Sequence, residues 1–170
     1  MSDIAVMEVG FTLNNEPASA SVEPRELLID VLREKFGLRG VKRSCDLGVC
    51  GACTVLVDGL PVSSCSTLAA DVEGRSVLTI EGLGTPQTLD PVQQAFIDHG
   101  AMQCGFCTPG MVLAVKALLA AEPSPTEDQV RHYLHGNVCR CTGYVKIIEA
   151  VMDLANRGAR LKTTKEGATQ

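Results

Sequence analysis

The spacing of apolar residues changes period halfway along the chain. In the first half, Met7 to Leu13 places apolar residues at every second position and reads as a strand. Asn14-Asn15-Glu16-Pro17 is a turn, leading to a second strand that ends near Val22. After Pro24, Leu27, Leu28, Val31, Leu32 and Phe36 recur at helical spacing, and Gly37 marks a stop. Thr54 to Val57 and Leu60 to Cys65 flank Asp58-Gly59, a hairpin signal, and Val77 to Ile80 supplies another strand. The second half shows only helical patterns. Asp90 with Pro91 and Gln93 opens a helix that ends at His99-Gly100. Thr108-Pro109 opens another that runs to about Ala121, and Thr126 with Gln129 opens a third that ends near Gly136. A fourth opens at Thr142 and carries the apolar stripe Val145, Ile148, Val151, Met152 and Ala155. The expectation is α+β: a small mixed sheet crossed by one helix, then a four-helix bundle.

Composition narrows the class. Of 170 residues, 45% are apolar and 21% charged, as in ordinary globular proteins. The net charge of −5 argues against a nucleic-acid partner, because phosphate contacts need surplus Lys and Arg. The longest apolar stretch, Met111 to Ala121, is interrupted by Lys116 and is too short for direct membrane insertion. The first ten residues lack the basic start and apolar core of a secretory signal, so a cytoplasmic location is expected. The negative charge is concentrated in residues 1–85, whereas residues 86–170 balance. Gly82-Leu83-Gly84-Thr85-Pro86 interrupts regular structure. The expected division is 1–82, 83–158 and a polar tail at 159–170, disordered or laid along another subunit.

Eight cysteines, in two groups, change the picture most. Cys45, Cys50, Cys53 and Cys65 show C-x4-C-x2-C followed by a distant cysteine, the plant-type ferredoxin spacing for a [2Fe–2S] cluster. Two ferric ions, two sulfides and four thiolates sum to a dianion, so backbone N–H groups must converge on the sulfurs. Gly40, Gly48 and Gly51 permit the tight backbone this requires. A structural zinc site or buried free thiols are the alternatives; the x4 gap and the glycines argue against zinc. Cys104, Cys107, Cys139 and Cys141 form the second group, C-x2-C and C-x-C. Both pairs precede predicted helices, whose N-terminal amides favour an anion between them. Taken alone, this second group suits zinc as well.

Two segments carry a resemblance. They are Gln103-Cys104-Gly105-Phe106-Cys107-Thr108-Pro109-Gly110 and Gly136-Asn137-Val138-Cys139-Arg140-Cys141-Thr142-Gly143-Tyr144. With the loop from Cys45 to Cys53, they resemble the iron–sulfur subunits of the xanthine oxidase family of molybdenum hydroxylases, over about residues 4 to 157. The resemblance implies a β-grasp ferredoxin-like domain followed by a helical bundle, each holding one [2Fe–2S] cluster on its four cysteines. It implies a large partner subunit carrying molybdenum–pterin and a medium one carrying FAD. Electrons would pass from the pterin through both clusters to the flavin. The C-terminal cluster would lie near the pterin, with Gln103 hydrogen-bonding the pterin and the Cys141 sulfur approaching it. An amide both donates and accepts, which suits such a ring edge. An exposed polar residue at Gln103, and a simple ligand at Cys141, are the plainer readings.

Other residues carry less. Arg140 is a candidate to offset cluster charge, with a solvated arginine as the plain alternative. His132 and His135 lie three apart on a helix, a weak metal signal, and His99 at a helix end fits the helix dipole. No catalytic acid, base or nucleophile is expected. The alternative functions are a free-standing ferredoxin, which the acidic first half would suit, and a zinc-stabilised interaction module.

Overall fold

The sheet begins with a hairpin whose strands are Met7–Leu13 (β1) and Glu16–Val22 (β2). The two residues between them, Asn14 and Asn15, both take positive φ, the turn geometry that matches strand twist. Asp58 and Gly59 do the same between Thr54–Val57 (β3) and Leu60–Ser63 (β4). With Ser76–Leu78 (β5), the order is β2-β1-β5-β3-β4. Among the described residues only the β1–β5 pair is parallel, so the sheet is mixed as the pattern predicts. The computed structural model describes residues 5–166, and side-chain surroundings for 5–157. Two expected strands are shorter: Leu60 to Cys65 gives way at Ser64 to a 3-10 turn, and Val77 to Ile80 does so at Ile80.

One helix crosses the sheet. It opens as an α-turn, Leu28–Asp30 (α1), and continues as a π-turn, Val31–Lys35. Leu28, Ile29, Val31 and Leu32 are fully buried against Val9, Val55, Val57 and Val77. Each such side chain contributes roughly 1.5–3 kcal/mol on burial. Strand β3 is buried on both faces. Val55 and Val57 join this core, whereas Leu56, pointing the other way, packs on Leu113 and Ala117.

Four helices follow: Pro91–Asp98 (α2), Thr108–Ala121 (α3), Glu127–Tyr133 (α4) and Val145–Glu166 (α5). Both expected capping boxes form. Asp90 accepts from Val92 N–H while Gln93 caps Asp90 N–H, and Thr126 and Gln129 bond reciprocally. Phe96, Met111, Val115, Leu134, Ile147 and Val151 build the second core, against which Ile80 and Leu83 also pack. Helix α3 is apolar nearly all round because it is central, serving the bundle on one side and β3 on the other.

Two expectations need correction. The last helix begins at Val145, not Thr142, because Gly143 and Tyr144 take positive φ, so the bond that Tyr144 N–H donates to the Thr142 hydroxyl at 3.2 Å closes a turn before the helix. It also continues through Glu166, so most of the expected polar tail, 159–170, has helical backbone. Residues 167–170 lie outside the described residues. No helix among the described residues is long and apolar enough to cross a membrane.

Candidate metal centres

The first cysteine loop hangs between α1 and β3. Its thiols stand in pairs. Cys45 lies beside Cys50, both partly exposed, and Cys53 lies beside Cys65, both buried. Loop amides aim at the sulfurs: Leu47 N–H donates to Cys45 Sγ at 3.4 Å and Gly48 N–H to Cys65 Sγ at 3.3 Å. The amides of Leu47, Cys50 and Val49 lower the Cys45 thiol to about 6. Cys65 goes the other way, to about 11, because burial outweighs its bond from Gly48. The carbonyls of residues 50–53 all accept hydrogen bonds. Cys50 accepts from Val138 N–H at 2.8 Å, Gly51 from Thr54 and Asn137, Ala52 from Lys42 N–H, and Cys53 from Ser64. A trans peptide whose C=O is tied one way turns its N–H the other.

Two backbone features shape this loop. Gly51 has φ +68°, and a Cβ there would lie 2.3 Å from the Gly136 carbonyl oxygen, so only glycine fits. Asp46 takes φ +59° and is held by Arg43, whose guanidinium donates to both its carboxylate oxygens at 2.7 and 2.6 Å. Arg43 also pairs with Asp30 on α1, fastening the loop to that helix.

The second loop pair shares one recess, lined by Cys104, Cys107, Cys139 and Cys141 together with Gln103, Met111 and Thr142. Cys104 and Cys141 are exposed, their sulfurs 3.6 Å apart; Cys107, partly buried, lies beside buried Cys139. Burial pushes the Cys107 thiol up to about 12, although it stands at the start of α3. Desolvation therefore outweighs the helix terminus there. At Cys139 burial also opposes ionisation, but the Thr142 hydroxyl, 3.1 Å from its sulfur, and the Thr142 and Cys141 amides bring the net shift down. Only Cys107 abuts a helix start, since α5 begins beyond Cys141; side-chain and loop donors replace the second helix end.

Tyr144, itself at φ +67°, clamps this loop. Its hydroxyl accepts from Cys139 N–H at 2.9 Å and donates to the Asn137 carbonyl at 3.0 Å. Asn137 and Tyr144 lie within the segment that carries the resemblance but draw no role from it, and Arg43 lies outside it. The runs Arg43-Ser44-Cys45-Asp46 and Cys141-Thr142-Gly143-Tyr144 put a donor near each loop, but nothing local shows what Asn137 bonds. Gln103 is exposed beside Cys104, and Arg140 is exposed between its cysteines. The rings of His132 and His135 meet edge to face, 5.5 Å apart, and His99 bonds Asp153 at 3.2 Å. Among the described residues no three His, Cys, Asp or Glu side chains group as ligands of a single ion. The paired arrangement instead fits a diiron cluster, in which four thiolates divide two to each iron.

Fold and thiols together define a two-domain iron–sulfur protein. The family model described as 2Fe-2S iron-sulfur cluster binding domain matches residues 11–79, and that described as [2Fe-2S] binding domain matches 79–152. The nicotinate dehydrogenase small FeS subunit of Eubacterium barkeri is 45% identical over 151 residues, covering 89% of this chain and 96% of that one. The nicotine 6-hydroxylase small subunit of Paenarthrobacter nicotinovorans is 49% identical over 147 residues, covering 86% and 88%. The crystal structure of quinoline 2-oxidoreductase from Pseudomonas putida 86 superposes with a TM-score of 0.86 at 47% identity, over 91% of this chain and 97% of that one. The chain belongs to the [2Fe–2S] small subunits related to the xanthine oxidase family of molybdenum hydroxylases. It is an electron-transfer subunit with two [2Fe–2S] sites, one in each domain.

Proposed function

We propose that Cys45, Cys50, Cys53 and Cys65 hold one [2Fe–2S] cluster and that Cys104, Cys107, Cys139 and Cys141 hold the other. Each cluster supplies one-electron oxidation and reduction when bound. The protein's part is to keep four thiolates together, aim N–H and O–H donors at them and limit water, which sets the potential. One observation supports a wire with two ends. Each loop has an outward thiol pair, Cys45/Cys50 and Cys104/Cys141, and an inward pair, Cys53/Cys65 and Cys107/Cys139. We place the division at residues 82/83, just after the last strand of the first core, with Ile80 and Leu83 on either side of it packing on the second core.

The partners follow by kinship. A large molybdopterin-binding subunit covers the second loop and a medium FAD-binding subunit covers the first. Exposed apolar residues rim both loops: Leu47 and Val49 at the first, Phe106, Val138 and Val145 at the second. Such rims suit covered surfaces. The exposed Gln103 amide is proposed to hydrogen-bond the pterin, and Cys141 to be the ligand nearest it. A cytoplasmic location suits a chain whose thiols must stay reduced until iron is loaded. Nitrogen heterocycles are the first substrate class to screen, since two relatives are named for nicotinate and nicotine. Native purification tests the assembly: two larger chains, molybdenum and flavin should accompany this one. A competent monomer lacking all three would refute it.

A further inference from the structure

The two cysteine loops do not merely lie near each other; they are bonded through a short segment that belongs to neither ligand set. Val138 N–H donates to the Cys50 carbonyl at 2.8 Å, and Val138 immediately precedes Cys139. This contact joins a backbone group of one proposed ligand to the residue before another across a single hydrogen bond. Beside it, the Asn137 side chain is buried, with 7% of the residue exposed. Its Nδ2 donates to the Gly51 carbonyl at 3.2 Å and lies 3.3 Å from Thr54 Oγ1. Thr54 Oγ1 itself donates to the same carbonyl at 2.7 Å. The opposite wall is equally close, for a Cβ on Gly110 would lie 2.3 Å from that carbonyl oxygen. On its far side the segment is held by Tyr144, through the Asn137 carbonyl and the Cys139 amide.

We propose that Asn137 is a positioning residue that fixes the two cluster-bearing loops relative to each other and keeps the Val138–Cys50 hydrogen bond closed as the bonded link between them. The inference rests on the ligand assignment above and deepens it. Apolar packing of Leu56 on Leu113 and Ala117 sets the general approach of the domains but is non-directional. A buried amide with a defined acceptor supplies direction. Electron transfer between two fixed centres depends on their separation and on the bonded route, so a residue that fixes both acts on rate without touching iron.

The test uses the assembled complex and two readouts. Hydrogen exchange of the unsubstituted protein should show the Val138 amide protected to the level of β3 amides. Exchange as fast as in exposed loops would overturn the proposal whatever the iron content, which separates its failure from that of the ligand assignment. Asn137→Ala should speed Val138 exchange at least tenfold and broaden the inter-cluster distance distribution measured by pulsed electron paramagnetic resonance, with iron content retained. Asn137→Asp keeps the shape and loses the donor, so it should behave as the alanine variant does. Wild-type exchange and distance distribution in either variant, including Asp behaving as wild type because the residue only fills space, would overturn the proposal.

Discussion

The two cysteine loops solve one problem with different backbones. The first sits at the start of the internal strand β3 and uses its own amides, with Leu47 and Gly48 donating to sulfur. The second lies among helices and relies on a hydroxyl, Thr142, on the start of α3 and on the Tyr144 clamp. Yet both place one thiol pair outward and one inward. The shared pattern is the one the proposed ligand assignment requires, and the donors differ because a sheet loop and a helix end expose different backbone groups.

The largest break in the comparison comes from removing ligands on one side only. Cys104→Ser should halve the iron and abolish one of two paramagnetic signals, and Cys53→Ser should remove the other; metal analysis and electron paramagnetic resonance read both. A smaller effect separates the loops by backbone. Gly51→Ala meets positive φ and a carbonyl oxygen 2.3 Å from the new Cβ, whereas Gly105→Ala meets positive φ with nothing within 4 Å. Backbone strain alone costs about 1–3 kcal/mol. Gly51→Ala should therefore lose more than that in urea unfolding and disturb both sites, while Gly105→Ala should stay within it and disturb only the second.

The smallest effect is one of titration in iron-free protein. Cys45, lowered to about 6, is mostly thiolate at pH 7, whereas Cys107, raised to about 12, is a neutral thiol. Iodoacetamide at pH 7 followed by peptide mass spectrometry should find Cys45 labelled first and Cys107 last. The folded state holds the Cys107 proton more tightly than a free thiol at 9.0, so this contribution to stability is present below pH 9 and lost as pH rises toward 12. Denaturant midpoints of iron-free protein should fall over that window.

Much of this was legible in the chain because its signals are local. Asp58-Gly59 and the capping pairs Asp90/Gln93 and Thr126/Gln129 each act within a few residues. The start of α5 was misplaced because Gly143 and Tyr144 leave helical φ, so Thr142, a good cap by type, accepts from Tyr144 N–H in a turn that precedes the helix. The helix at 159–166 was missed because its polar sequence lacks an apolar stripe. The role of Asn137 was invisible because its partner, Gly51, is 86 residues away. Arg43 joins Asp30 to Asp46 only once α1 has packed on the sheet.

Iron and acid-labile sulfide, measured together with the electron paramagnetic resonance of the dithionite-reduced complex, test the central claim most directly. The account predicts four irons and four sulfides per chain, with two distinguishable [2Fe–2S] signals. Zinc in place of iron, or a single signal at half that content in undamaged protein, would contradict it.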